Sequence, residues 1–321
     1  MKTKGLALAA CLLAALASLA LGAAMLSPGE LWEAVLSGPR STAGRIFWYV
    51  RLPRTAGCLL AGAALSVAGC VIQNVLANPL ASPNIIGVNA GAGLAVTVCC
   101  AFGAVSGWTI AGAAFGGAFF AVLLVSLAAR RVGASRTTVI LAGVAVNAFL
   151  GAVSDGVTNL VPDAAALSSD FRVGGFGGVV PVRLVPAGVL ILAGLAAVFL
   201  LSNELEILSL GEDAARTLGL NASAMRTIFL ALAALLCGAA VSFAGLLGFV
   251  GLIVPHAVRR IGGNECARLL PLSALWGGTF VTVCDLLSRL LFRPQELPVG
   301  ILLSALGGPF FLYILSKRSK V

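Results

Sequence analysis

Ten apolar runs fill this chain, and most approach the roughly 20 residues that a helix needs to cross the hydrocarbon of a bilayer. They lie near 5–26, 56–76, 88–104, 109–129, 137–160, 184–203, 226–246, 249–259, 270–291 and 298–316. Inside lipid every backbone N–H and C=O has to find its partner within the protein, so spanning segments are helices or closed barrels. A transmembrane barrel shows alternating segments of about ten residues, whereas these runs are continuous. Only 10% of the 321 residues are charged and 60% are hydrophobic, against roughly 25% charged in a soluble domain. Mean hydropathy is +1.05. The expected fold is an all-α polytopic membrane protein with about ten transmembrane helices, forming a single transmembrane domain over 1–321. The 249–259 run is too short to cross alone and reads as a half-helix beside a re-entrant stretch.

The start, Met1-Lys-Thr-Lys4 followed by an apolar stretch to Leu26, shares its basic opening and small residues with a cleavable signal peptide. The apolar part is longer than the 7–15 residues of a signal-peptide core, which favours a retained first helix. The net charge of +9 does not point to nucleic acid, because the basic residues sit in loops between apolar runs without interleaved aromatics. They serve instead as a topology ruler. With the N-terminus inside, thirteen of the Lys and Arg residues fall on the inner side and eight on the outer. That places both termini in the cytoplasm of a multi-pass protein of the cell (inner) membrane. The outer eight still form a basic cluster that calls for a reason. Eight scattered cysteines show no metal-ligand spacing and read as small core hydrophobes; no metal or other cofactor is expected.

Prolines, glycines and charges interrupt the apolar runs in a way that a membrane anchor does not need. Arg51-Leu-Pro-Arg54, Asn78-Pro-Leu-Ala-Ser-Pro83 and Gly248-Phe-Val-Gly-Leu-Ile-Val-Pro-His256 are the main breaks. Irregular backbone at membrane depth is tolerated where protein or a water-filled path satisfies it, so the breaks near 248–255 and 307–309 are candidate path linings. Most of the 39 glycines read as packing residues; Gly87/Gly91 and Gly112/Gly116 are spaced to let helices approach closely. Two outer stretches exceed hairpin length: 27–54, with room for a short surface helix around Gly29–Ser37, and 161–183. The main inner stretch, about 204–225, is the most acidic part of the chain.

A transporter needs an energy source. No phosphate-cradling G-x-x-x-x-G-K-[ST] loop is present, and no catalytic constellation marks an intramembrane enzyme. Ion-coupled secondary transport, the alternative, calls for ionisable residues inside the spans, and only Asp155 and Asp285 lie clearly within or at the ends of apolar segments. Energy is therefore expected from a partner, and Leu208–Leu220 is where it would bind. Ser209 with Glu212 three residues on makes a capping box, and Gly219 suits a C-terminal stop, so a short amphipathic helix is expected on the cytoplasmic face.

Taken in order, Arg51-Leu-Pro-Arg54, Leu60-Ala-Gly-Ala-Ala-Leu-Ser-Val-Ala-Gly69, Gln73, Asn78–Pro83, Leu210-Gly-Glu-Asp-Ala-Ala-Arg-Thr-Leu-Gly219, Gly248–His256, Glu296-Leu-Pro-Val-Gly300 and Gly308-Pro-Phe-Phe311 resemble the FecCD-type permease family. These are the membrane subunits of type II ABC importers for iron-siderophore complexes, haem and cobalamin. The resemblance runs from about Arg45 to Leu315. It implies ten helices per subunit, a homodimer in the membrane lipid with the path at its interface, two cytoplasmic ABC ATPase subunits, and a periplasmic or lipid-anchored substrate-binding protein. An iron-siderophore is the expected cargo, with haem and cobalamin open, and ATP hydrolysis resides in the partner rather than in this chain. The resemblance further implies that Leu210, Gly211, Glu212, Ala215, Leu218 and Gly219 couple to the ATPase. Arg51, Arg54 and Arg289 match periplasmic arginines that dock acidic residues of the binding protein. Arg136, Thr137 and Thr138 fall where the family places a cytoplasmic gate. This chain departs from the family at Phe171-Arg-Val-Gly-Gly, where a tryptophan often precedes the outer Gly-rich loop.

Overall fold

Each apolar run becomes a helix, and the runs between them add several short ones. The computed structural model describes residues 2–131, 136–293 and 295–318. Its helices are α1 (Lys2–Ala20), α2 (Pro28–Ser37), α3 (Thr42–Arg45), α4 (Leu52–Val75), α5 (Val88–Ala101), α6 (Gly107–Arg131), α7 (Arg136–Leu160), α8 (Pro162–Val173), α9 (Pro181–Leu200), α10 (Ser202–Ser209), α11 (Glu212–Thr217), α12 (Ala222–Ala244), α13 (Val250–Gly262), α14 (Cys266–Leu290) and α15 (Val299–Arg318). A 3-10 turn (Gly38–Arg40) and a π-helical turn (Ile46–Arg51) join α2 and α3 to α4. Among the described residues seven helices are long and apolar enough to cross a membrane, and α5 and α15 are shorter apolar helices. The short run expected as a half-helix is α13, only 13 residues long.

The core is built around α4. Nearly its whole length is buried, and it packs against α14, α12, α13 and α9. Glycine makes this possible where backbones meet. A side chain on Gly62 of α4 would collide with the Gly277 carbonyl of α14, and one on Gly69 with the Gly251 carbonyl of α13. Gly91 of α5 meets Gly117 of α6 in the same way. Lipid gives helices no hydrophobic drive to associate, so close approach of small residues carries the contact. Of the glycines expected to pack, Gly87 and Gly91 approach Ala121 of α6, but Gly112 and Gly116 face open space. Six of the eight cysteines are buried and all eight are free, in keeping with their reading as small core residues.

The surface helix expected around Gly29–Ser37 is α2. Ser27 caps it: its side chain accepts from the Glu30 N–H at 3.3 Å and the Glu30 carboxylate accepts from the Ser27 N–H at 2.7 Å. These bonds favour the charged carboxylate and hold the Glu30 pKa below its ordinary value. The 161–183 stretch is less irregular than its sequence suggested, because Pro162 opens the twelve-residue α8. The end of α8 turns in to the break between α12 and α13. There Leu246 N–H donates to Phe171 O at 2.9 Å and Gly175 N–H to Ala244 O at 2.8 Å. Phe249 adopts a left-handed φ of +64° at the start of α13, and any side chain on Gly307 of α15 would strike its ring. The expected irregular backbone is thus real at 245–249, where another helix supports it, whereas the break expected near 307–309 is absent because α15 runs unbroken through Pro309.

Candidate functional site

Two ends of the bundle carry the residues singled out by sequence. At one end α10 and α11 form a small helical hairpin. The expected capping box is absent. Ser209 is the last residue of α10, and its hydroxyl donates back to Glu206 O at 2.7 Å, so Gly211 is the residue before α11, with φ +122°. Ser, like Thr, readily bonds a carbonyl one turn back, and the positive φ of the link suits glycine alone. The stop at Gly219 does form. With φ +79°, Gly219 donates to Arg216 O at 3.0 Å, and Leu220 N–H reaches Ala215 O at 2.9 Å. This is the double bond pattern that closes a helix through a left-handed residue.

On this hairpin Ala215 is fully buried, while Leu210 and Leu218 are 66% and 62% exposed. Gly211 is half-buried and Gly219 exposed; the side chain of Glu212 lies outside the described residues. The alanine within α11 is thus buried, while the leucines that flank the helix on either side face outward. Beside it opens a polar pocket of about 360 Å³ lined by Gln73, Asn78, Glu206, Ser209, Arg259 and Asn264. Arg259 Nη2 donates to Gln73 Oε1 at 3.2 Å, and Glu206 accepts from Cys266 N–H at 2.5 Å. Of the expected gate, Thr137 is exposed and Thr138 half-buried at the start of α7. The Arg136 side chain lies outside the described residues.

At the other end the structure brings Arg51, Arg54 and Arg289 together, but inside the protein. They are 3%, 6% and 3% exposed. Arg54 Nε and Nη2 grip the Asp285 carboxylate at 3.0–3.1 Å, and its Nη1 reaches Glu296 at 2.6 Å. Arg289 Nε lies 3.0 Å from Asp285 Oδ2, which also accepts from Arg54 Nε, and its Nη2 donates to Ser18 Oγ at 2.8 Å. Arg51 donates to Leu19 O, Ala20 O and Ala24 O, each at 2.7 Å. Arg293 donates to Gly22 O at 2.7 Å. The guanidinium groups therefore close the carbonyl end of α1 and neutralise Asp285. Asp285, fully buried and held by two guanidiniums, offers no open site for a coupling ion. Asp155, the other ionisable span residue, is exposed on α7.

Sequence reasoning missed two members of these sites. Glu296 was noticed only as part of a motif, although the half-exposed carboxylate is the outermost partner of Arg54. Arg172 counts in the sequence only as one of the outer basic residues and as part of the departure at Phe171-Arg-Val-Gly-Gly, yet it lines a groove with Asp155. No group of three or more potential metal ligands occurs among the described residues.

The chain is similar to known proteins along nearly its whole length. The family model described as the FecCD transport family matches residues 10–317. The iron(3+)-hydroxamate import system permease protein FhuB of Bacillus subtilis is 35% identical over 96% of this chain and 81% of its own length. The vitamin B12 import system permease protein BtuC of Salmonella paratyphi A is also 35% identical, over 96% of this chain and 93% of its own. A solved structure described as an inward-facing conformation of a transporter assigned to the metal-chelate ABC type superposes with a TM-score of 0.88. It is 27% identical and covers 98% of this chain and 99% of that one.

Proposed function

Because the chain belongs to the FecCD transport family, and so is an ABC importer permease that works with an ATPase and a binding protein, we propose that its cargo is a ferric-siderophore type of chelate. Relatives named for iron(3+)-hydroxamate and for vitamin B12 import stand at equal identity, so iron rests on the FhuB likeness and cobalamin is the nearest competitor. The observation that carries the coupling part of the reading is the α10–α11 hairpin, with its buried Ala215 and outward Leu210 and Leu218. Two ATPase subunits beneath a homodimer would each cover one such hairpin, from Leu210 through Gly211, Glu212 and Ala215 to Leu218 and Gly219. This end is then cytoplasmic, together with both termini, and Arg136, Thr137 and Thr138 sit at the inner mouth as a gate.

The docking role proposed for Arg51, Arg54 and Arg289 takes a form set by their burial. They hold the ends of α1, α4 and α14 in register beneath the surface that a binding protein meets. Direct contact between Arg54 and a partner carboxylate would require it to exchange with Glu296. Transport follows alternating access: closure of the ATPases on ATP moves the hairpins, and the bundle changes which side it opens. Such coupling needs an element that contacts the partner differently in the two states.

The test is uptake in proteoliposomes that contain this chain, its ATPase and its binding protein, with labelled ferric hydroxamate, haem and cobalamin compared. ATP-dependent accumulation of the ferric chelate supports the proposal. Accumulation driven by an ion gradient without the ATPase would overturn it.

A further inference from the structure

The structure joins two features that the importer reading leaves unused, Asp155 and the departure at Phe171-Arg172. Both line a groove of about 320 Å³ between α5, α7 and α8, with Asn89, Gly93, Gly151 and Ser154. Asp155 lies five residues before the end of α7, about 8 Å along the helix axis at 1.5 Å per residue. Arg172 is in the last turn of α8, where that helix turns in to the α12–α13 break. The groove is therefore beside the irregular backbone, and its α7 wall belongs to the apolar span Thr137–Leu160.

Its polar groups are positioned but not used up. Arg172 Nη2 donates to Ser154 Oγ at 2.6 Å and to Thr97 Oγ1 at 3.4 Å. Ser154 and Thr97 are themselves buried, at 5% and 0%. Two buried hydroxyls thus fix one edge of the guanidinium. Among the described residues its remaining N–H groups have no protein acceptor, and the Asp155 carboxylate has no ion pair or hydrogen bond. A guanidinium and a carboxylate in one groove, both exposed and neither paired with the other, make a poor lipid-facing surface. Ionisable groups within spans face a bundle interior or a water-filled cavity, and they mark paths for polar cargo. The small residues Gly93 and Gly151 leave the floor open for a bulky ligand.

We propose that this groove is a cargo-contact site on the translocation path, in which Arg172 donates to a free carboxylate of a metal chelate and Asp155 and Asn89 meet its amide or hydroxyl groups. The substrate class rests on the importer reading above. The site needs only one or two charge-assisted contacts, which orient a chelate without trapping it.

Two measurements test the proposal. The first does not depend on transport: D155C in membranes is exposed to a membrane-impermeant maleimide. Labelling above that of the wild-type chain is expected, and labelling no greater than wild type overturns the site whatever the cargo. The second compares uptake of a ferric tris-hydroxamate bearing one free carboxylate with uptake of its methyl amide. In the assembled transporter, R172M should lower uptake of the carboxylate chelate about tenfold, the size of one charge-assisted hydrogen bond, and that of the amide less than about twofold. R172K should restore part of the difference, and binding-protein-stimulated ATP hydrolysis should persist in both variants. Equal losses for the two chelates would overturn oxygen recognition by Arg172. A wild-type assembly that carries cobalamin with ATP and neither ferric chelate would overturn the substrate class. A wild-type assembly without any ATP-driven uptake would instead bring down the importer reading and the class together, even with D155C labelled.

Discussion

The two ends of the bundle invert each other. At the α1–α4–α14 end charged side chains are inside, and Arg54, Asp285 and Arg289 satisfy one another with almost no water. At the α10–α11 end leucines are outside, and the hairpin closes its own backbone through Gly219. A buried charge demands partners that the chain must supply itself, whereas exposed apolar surface asks for a partner from elsewhere. The first end is complete as it stands; under the proposed coupling the second is completed by the ATPase. An arginine in a motif therefore says little about whether it meets another protein until its own acceptors are counted.

The sharpest way to break this contrast is D285A. It strands the Nε and Nη2 of Arg54 in a buried site and leaves Arg289 Nε only the backbone carbonyl of residue 285 at 3.4 Å, and removing one partner of a buried pair costs about 3–5 kcal/mol. Thermal unfolding in detergent should show a large loss; wild-type stability would mean that the cluster is not structural. Next is the double change L210S/L218S. Stability should stay within about 0.5 kcal/mol, since both side chains are exposed, while ATPase pull-down and uptake fall about tenfold if the leucines anchor the partner. Full uptake with full ATPase binding would move the coupling surface elsewhere. E296Q is smaller. Arg54 keeps Asp285, and the Glu296 side chain is 36% exposed, so the destabilisation should be about 0.5–1 kcal/mol. A loss as large as that of D285A would show that the outer carboxylate, not Asp285, holds Arg54.

The smallest effect tests an ordinary surface feature beside the cluster. Glu30 is held below its usual pKa by the bonds it accepts from Ser27. Its contribution to α2 is then present above the unfolded value, near 4.3, and is lost as pH falls through the lower folded pKa. Titration of its carboxyl carbon by NMR should give a midpoint below about 4.3, and S27A should bring it back up.

Much of this fold was legible because hydropathy is local. Each apolar run declares its own helix, and α13 declared its shortness. What the sequence could not show was pairing at a distance: Arg54 and Asp285 are 231 residues apart, and neither flanking sequence names the other. The hairpin was half legible. Gly219 has a backbone requirement that its own sequence context reveals, but Ser209-Leu-Gly-Glu212 fits either a cap or the end of the preceding helix, and only the fold of α10 decides. Arg172 and Asp155 failed for the same reason as the cluster. They lie on separate helices, and no periodic pattern links residues across a turn in the chain.

The carbonyl end of α1 also has a history. Chains are made from the N-terminus, so α1 is made before any of its arginine donors. Arg51 follows Ala20 by 31 residues, whereas Arg293 follows Gly22 by 271. Until then those carbonyls must bind headgroups or water at the membrane surface. The end of α1 is thus closed in two stages, by Arg51 early and by Arg289 and Arg293 late, and truncation anywhere before α14 leaves the second stage undone.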